Sequence, residues 1–434
     1  MKLADKIRIN NVSEWLIRRN PIYYSRYKTL FTKLFEADLT IRKKFTNDRL
    51  KLIMTAVVPY IQQHHKYACF SDWPLLEKEK IRKHPEKYIS KYNLFSISAS
   101  TGGSSGSPLT LSRSFQSIVL EQAAFDFISQ LRGVDPIRSK GAVLRGDTIV
   151  PPDYKGPVYW KTVANGRILK LSSHHLTSES IKSYVEVLKE FQPEYIWGYP
   201  STIDFFCQLL SYLDSNFSIP LVLTSSEVLT PASRKQIQET LQCQIVDYYG
   251  QAERVAFAYS LSDNQYYFLP GYSLVELHYH SSDNVMDYYE IIGTSLWNTA
   301  MPLIRYRTGD LALVSKGVTT SQLEEISYGI RPFFGISGRT SEYLLSPEGQ
   351  RLFGICQIPG YIQNVTQMQF VQQHKHKVVI LLIPGCNYGE QDKQTLLKKA
   401  REKIPHSVEI EIKLVEKLNK TKAFKTPLVV REIT

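Results

Sequence analysis

The chain has 434 residues, 43% of them hydrophobic and 22% charged, and no apolar run approaches the ~20 residues that span a bilayer. This excludes a disordered, fibrous or helical-membrane protein, and the length predicts a large domain with a smaller one. The net charge of +12 comes without a basic arm or a stacking-aromatic RNA motif, which argues against nucleic acid and leaves a polyanionic small ligand such as ATP or a coenzyme, or a merely solvated basic surface.

The N-terminus MKLADKIRINNVSEW has no apolar h-region, so no secretory signal is expected. Cys69, Cys207, Cys243, Cys356 and Cys386 form no CxxC pair. A disulfide framework or zinc site is therefore not expected, and a reducing, cytoplasmic compartment is.

Residues 1–75 read as mostly helical, with apolar residues at helical spacing in Tyr27–Phe35 and Leu50–Ile61. Glu77–Lys83 reads as a solvated helix. From about 95 to 335 short β-branched runs alternate with amphipathic helices. The predicted helices are Phe115–Leu131, stopped by Gly133, one capped by Thr177 and running through Glu190, one capped by Ser201, and one from Thr230–Pro231 to Leu241. The intervening strands are Tyr195–Trp197, Leu221–Thr224 and Gln244–Tyr248. Strands separated by helices predict an α/β large domain with mixed sheets.

Near Gly338 the pattern changes. A hairpin from Tyr343–Leu345 to Arg351–Phe353 precedes strands Met368–Gln372 and Lys377–Ile383, helix Asp392–Ile404 and strand Val408–Val415. The expected division is residues 1–337 as the large domain and 338–434 as a small α+β lobe. Residues 371–434 carry 13 Lys/Arg against 7 Asp/Glu, so this lobe holds much of the positive balance.

Five segments carry candidate chemistry. In Ser98–Pro108 three glycines and six hydroxyl residues lie between the strand-like runs Leu94–Ser98 and Leu109–Leu111. Such a loop lets backbone and hydroxyl donors approach phosphate oxygens. It lacks the Lys-Ser/Thr of a Walker A loop, and a flexible linker is the alternative. Asp247–Glu253 follows a strand, where ligands of open α/β sheets collect. Its tyrosines can stack on a purine and Glu253 can hold a magnesium ion with phosphates, or the segment is an ordinary turn with a solvated glutamate. In Arg305–Asp310 the aspartate can accept from ribose hydroxyls, or the segment is a polar turn. Gly338-Arg339 is a candidate hinge with a phosphate clasp, or an interdomain turn. Lys420–Lys425 can bring an ammonium to a reacting phosphate, or is a solvated basic tail.

In this order the segments resemble the adenylate-forming superfamily, within it the phenylacetate–CoA ligase branch, and within that the CapK-like proteins associated with capsular polysaccharide genes. The resemblance rests on Ser100–Pro108, Trp197-Gly-Tyr-Pro-Ser201, Thr224-Ser-Ser-Glu227, Tyr249-Gly-Gln-Ala-Glu253, Tyr306-Arg-Thr-Gly-Asp310, Gly338-Arg339 and Lys425, spanning about residues 70–430. It implies the adenylate-forming enzyme fold with a small C-terminal lid domain. It also implies ATP-dependent activation of a carboxylic acid as an acyl-adenylate, by an AMP-forming ligase using ATP, Mg2+ and coenzyme A. The acceptor it implies is a thiol (coenzyme A or a carrier protein) or an amine such as that of an amino-sugar precursor.

Position by position, Ser100, Thr101, Gly102, Gly103, Ser104, Ser105 and Gly106 are implied to grip the β- and γ-phosphates. Ser225, Ser226 and Glu227 border the adenine, Tyr249 and Gly250 flank it, Glu253 meets magnesium and Asp310 binds the ribose. Arg339 sits at the hinge near phosphate, Lys425 reaches the α-phosphate, and Trp197, Tyr199 and the stretch after Glu253 shape the acyl pocket. Three positions depart from the family pattern: Ser107 replaces a lysine, Ser341 stands where the hinge has aspartate, and Phe424 replaces the glycine before Lys425, with Lys422 a competing lysine. These departures leave a second reading, a catalytically reduced nucleotide-binding or scaffold protein that keeps the fold.

Overall fold

A computed structural model describes residues 14–62, 70–91, 96–100, 109–145, 149–150, 154, 156–173, 175–213, 217–263, 265–337, 344–347, 351–352, 355, 358–359, 362, 364–420 and 426–433. The chain divides into two compact units, each built from two separate stretches: Met1–Ser139 with Val246–Ile336, and Lys140–Ile245 with Ser337–Thr434.

In the first unit, two long helices, Pro21–Glu36 and Leu39–Ala56, start on side-chain caps. Asn20 Oδ1 accepts from the Ile22 N–H at 3.1 Å and Asp38 Oδ1 from that of Ile41 at 2.8 Å. The predicted Leu50–Ile61 helix ends at Ala56 because Pro59 cannot continue it, and Val58–Tyr60 forms a 3-10 turn. Helix Phe115–Gln130 is capped by Ser114. It buries Asp126, whose carboxylate accepts from Arg19 at 2.7 and 2.9 Å, Tyr24 at 2.5 Å and Gln122 at 2.9 Å, the satisfaction a buried charge needs.

From Phe257 onward the unit is antiparallel, against the expected strand–helix alternation. Phe257–Ser262 pairs with Gln265–Phe268, and Ser273–Ser282, Met286–Ser295 and Tyr306–Ser315 form a meander. Asp283 fixes one of its hairpins, its Oδ1 accepting from the Val285 and Met286 N–H groups at 2.8 Å each.

The second unit holds the parallel sheet, with Leu221–Ser225, Tyr195–Gly198, Gly141–Arg145 and Ile168–Ser172 side by side and Trp160–Val163 antiparallel at the edge. Leu221–Ser225 is buried throughout, as a strand covered on both faces must be. Helices Ile181–Phe191, Pro200–Leu210 and Pro231–Leu241 contribute Tyr184, Leu188, Ile203, Phe206 and Ile237 to the core on Ile196 and Val222.

Two predicted caps are corrected. The helix expected from Thr177 begins at Ile181, because Thr177 and Ser180 bond each other's N–H and hydroxyl groups in a preceding turn. The helix expected from Ser201 begins at Pro200, and the Ser201 N–H donates to Glu227 Oε2 at 3.1 Å. A carboxylate from another strand end thus serves this helix N-terminus.

The C-terminal part of this unit is the expected α+β lobe. Val365–His374 and Lys377–Pro384 pair antiparallel, flanked in parallel by Val429–Arg431 and Glu409–Leu414. Helix Glu390–Arg401 supplies Leu396 and Ala400 to a core with Phe370 and Ile380. The small hairpin is Leu344–Leu345 with Arg351–Leu352.

Candidate active site

Strand Gln244–Gly250 delivers Tyr249 and Gly250 at its carboxyl end. The Tyr249 hydroxyl donates to Asp310 Oδ2 at 2.7 Å and accepts from Gln251 Nε2 at 2.7 Å. Burial, and then the Asp310 charge, push the Tyr249 phenol well up, so it stays a donor at neutral pH. Residues 61 apart in the chain thus meet in one polar pair.

The start of strand Tyr306–Ser315, which carries Asp310, is held by neighbouring arginines. Arg305 forks onto Glu276 at 2.9 and 3.1 Å. Arg307 contacts Glu290 at 2.5 Å and Glu77 at 2.8 Å, and the Glu290 hydrogen bond, more than any other cause, raises its pKa further. Gly309 has φ +73°, a left-handed turn that glycine takes without strain. The Asp310 N–H donates to Thr308 Oγ1 at 3.0 Å. The arginines of this motif anchor the segment that holds the buried Asp310 against Tyr249.

Three residues beyond Gly250, Glu253 is buried at 6% exposure. Its Oε1 accepts from the Tyr306 hydroxyl at 2.8 Å and lies 3.5 Å from Lys78 Nζ. Beside it Arg113 Nη2 donates to Ala252 O at 2.6 Å, and Arg254 Nη1 to Ser117 O at 2.8 Å. Glu121 faces Arg254 at 3.7 Å and accepts from Tyr272. Burial, and then Arg254, push the Arg113 guanidinium down to about 10. Arg254 itself has φ +56°, a costly conformation for a side-chain-bearing residue. Two carboxylates, Glu253 and Glu121, among the three cations Lys78, Arg113 and Arg254 leave an excess of positive charge, a setting for polyphosphate oxygens.

In the second unit Arg145, Gly198 and Ser225 end three adjacent parallel strands. The Arg145 guanidinium lies 4.2 Å over the Trp197 ring and 4.8 Å over that of Tyr199, and its Nη2 donates to Ser226 Oγ at 3.2 Å. Ser226 has φ +74°. Gly198 permits the turn: a Cβ there would lie 2.6 Å from Ile203 Cδ1 and 2.7 Å from Leu144 O. Gly198→Ala is therefore expected to lower the folding free energy by about 1–3 kcal/mol, read by urea denaturation; an unchanged midpoint would show the strand end to be pliable. Lys420, at the start of the C-terminal basic loop, has its pKa lowered by burial and raised back by Glu227, a second charge on the carboxylate that serves Ser201.

Residues 344–432 match the CapK C-terminal domain family. Protein CapK of Staphylococcus aureus is 25% identical over 336 residues, 76% of this chain and 72% of that protein. A 2-hydroxyisobutyryl-CoA ligase in the postadenylation state, in complex with R3-HIB-AMP, matches with TM-score 0.53 at 14% identity, covering 95% of this chain and 90% of that one. The same ligase in complex with 2-HIB-AMP gives 0.50 with the same identity and coverage. The chain is similar to CapK in sequence and shares the fold of that CoA ligase.

The resemblance drawn from its motifs is thus upheld in fold and in its likeness to CapK. For this CapK-like chain the structure joins Tyr249 to Asp310 in one unit and Trp197, Tyr199 and Ser226 around Arg145 in the other. Thr101, Gly102, Gly103, Ser104, Ser105, Gly106, Arg339, Lys422 and Lys425 lie outside the described residues, and Ser100 is described as the last residue of strand Ser96–Ser100. That strand pairs antiparallel with Thr110–Ser114, so the expected phosphate loop connects two paired strands.

Sequence reasoning missed Lys78, Arg113 and Arg145, and gave Tyr306 and Arg254 no role of their own. For Arg113 and Arg254 a signal exists in adjacency, since one follows the glycine–serine loop and the other follows Glu253.

Among the described residues no three His, Cys, Asp or Glu side chains cluster as a metal cage. Magnesium needs no such cage, because it is bound through one or two carboxylates while phosphates and waters complete its shell. The buried Glu253 carboxylate is a donor of that kind.

Among the described residues no helix is long and apolar enough to cross a membrane.

Proposed function

We propose that this CapK-like chain is an AMP-forming ligase that activates a carboxylic acid with ATP and passes the acyl group to a thiol. The observations that carry this reading are the Tyr249–Asp310 pair and the buried Glu253 with the cations Lys78 and Arg113. A carboxylate oxygen of the acid bonds to the α-phosphorus as the bond from that phosphorus to pyrophosphate breaks. Positioning and neutralisation of the growing charge supply the catalysis.

In this reading Ser100–Gly106 hold the terminal phosphates. Ser226 and Glu227 border the base, Tyr249 and Gly250 flank it, and Asp310 accepts from the ribose. Glu253 is one ligand of a magnesium ion, which when bound would shield phosphate charge. Arg113 and Arg254 add fixed positive charge. Residues 338–434 form the small moving domain, Arg339 its hinge and Lys425 its catalytic lysine. Coenzyme A is the thiol we assign, and ATP consumption fits the cytoplasm. A role in surface polysaccharide synthesis, with an amino-sugar acceptor, rests on the CapK likeness alone.

The test is carboxylate-dependent exchange of labelled pyrophosphate into ATP across aromatic, amino and sugar-derived acids. ATP binding with no exchange for any acid would favour the scaffold reading. Lys425→Ala is expected to depress exchange about a hundredfold or more while transfer from a preformed adenylate changes little. The same split in Lys422→Ala, with Lys425→Ala inert, would move the role to Lys422.

A further inference from the structure

An arginine at a strand end is ordinarily a mobile cation, whereas Arg145 is held in place by its neighbours. Its guanidinium rests over two aromatic rings, at 4.2 Å from Trp197 and 4.8 Å from Tyr199. Stacking restricts the long side chain in advance of any ligand and keeps its fork planar and oriented. The hydroxyl that meets it, Ser226 Oγ at 3.2 Å, is neutral and comes from a residue held at φ +74°. Left-handed backbone at a serine costs energy that persists where surrounding structure uses it.

Among the described residues no carboxylate pairs with Arg145, whereas Arg305 and Arg307 of the same chain each carry glutamate partners. The Arg145 main chain is fixed as well, its carbonyl accepting from Ser173 Oγ at 2.9 Å. A preorganised cation with no counter-charge among the described residues therefore stands at the carboxyl ends of the parallel strands, where ligands of such sheets bind.

We infer that Arg145 receives a second carboxylate of the acid that is activated, so that the substrate is a dicarboxylate. The inference rests on the adenylate-forming reading and deepens it. One carboxylate of the acid reacts. The other meets the guanidinium edge in a two-bond fork, the geometry in which arginine surpasses lysine. The Trp197 and Tyr199 rings offer apolar faces to the hydrocarbon spacer between them.

The test pairs acids that differ only in the remote group: glutarate with butyrate, and isophthalate with benzoate. Binding to the full chain is measured by calorimetry, and pyrophosphate exchange is measured with each acid. The wild type is expected to prefer each diacid by about ten- to a hundredfold. R145Q is expected to lose that preference while its ATP KM stays unchanged. R145K, which keeps the charge without the fork, is expected to fall between the two and serves as the second readout should R145Q lose its melting transition.

Equal use of diacid and monoacid by the wild type, or a preference surviving in R145Q, would overturn the inference while leaving adenylation intact. A raised ATP KM with acid preference unchanged would hand Arg145 to a nucleotide phosphate and also overturn it. Diacid binding that R145Q abolishes, with no exchange for any acid, would uphold the anion site and refute adenylation instead.

Discussion

Asp204→Asn is expected to raise the unfolding free energy at pH 8 by up to about 4 kcal/mol and to leave it nearly unchanged at pH 4. Asp204 lies on helix Pro200–Leu210, just beyond the Trp197–Tyr199 strand end, and is 6% exposed. Gln208 Nε2 donates to its Oδ2 at 3.2 Å, while Oδ1 makes no hydrogen bond among the described residues. Burial pushes the carboxyl from 3.8 up to about 7, opposed only in part by Ser233 and Gln208. In the folded state the proton is thus held more tightly than in the unfolded chain. Between about pH 4 and pH 7 the native state keeps a proton that the unfolded state has released, so stability falls as pH rises through that window. The cost is complete above the folded pKa and absent below the unfolded one.

Asparagine carries no charge at either pH and has the same shape, so the gain appears only where the aspartate would be ionised. Its amide needs an acceptor, for which the Ser233 hydroxyl is available on the facing helix, and any mismatch lowers the gain. Urea denaturation of both proteins at pH 4 and pH 8 measures the difference. Equal stabilities at pH 8 would mean that the carboxylate is solvated or paired, and the burial argument would fail.

What was legible in the sequence was what chain neighbours encode. Thr230 caps the helix that Pro231 opens because cap and first turn are contiguous. Tyr249 and Asp310 could be named because each sits inside a compact motif, although their hydrogen bond spans 61 residues. Features made by distant pairs were not legible. Ser201 reads as a cap, yet Glu227, 26 residues on, serves that helix end. Arg145 lies in no motif, and its meaning comes from Ser226, 81 residues away, and from two rings at the end of a neighbouring strand and the start of the helix after it.

The antiparallel meander was missed for a different reason. Its strands carry tyrosines on both faces: Tyr288 and Tyr289, adjacent in one strand, are 6% and 9% exposed, while Tyr279 is 63% exposed. A tyrosine fits core and surface alike, so the apolar alternation that marks a half-buried strand is blurred. The burial of Asp204 was hidden similarly, since one aspartate in an amphipathic helix reads as its wet face.

Glu253→Gln is expected to lower magnesium-dependent pyrophosphate exchange by about a hundredfold, to move the magnesium optimum to higher concentration, and to change stability by no more than about 1 kcal/mol. Glutamine has the same volume, and its Oε1 can still accept from Tyr306, which the carboxylate does at 2.8 Å. What disappears is one negative charge beside Lys78, Arg113 and Arg254. Left unbalanced, those cations attract free ATP more strongly, so affinity for ATP without magnesium is expected to rise even as kcat falls.

A merely structural glutamate would not produce that opposition. Losing it would weaken nucleotide binding and turnover together, with the melting temperature falling alongside. Tyr306→Phe separates the two effects, because it keeps the charge and removes only the hydroxyl that orients it, for an expected loss of about tenfold. Should E253Q keep the wild-type magnesium dependence, Glu253 would leave the metal site and become a counter-ion to Lys78 and its neighbours. The phosphates would then have to hold the ion with Asp310 or a residue of the glycine–serine loop.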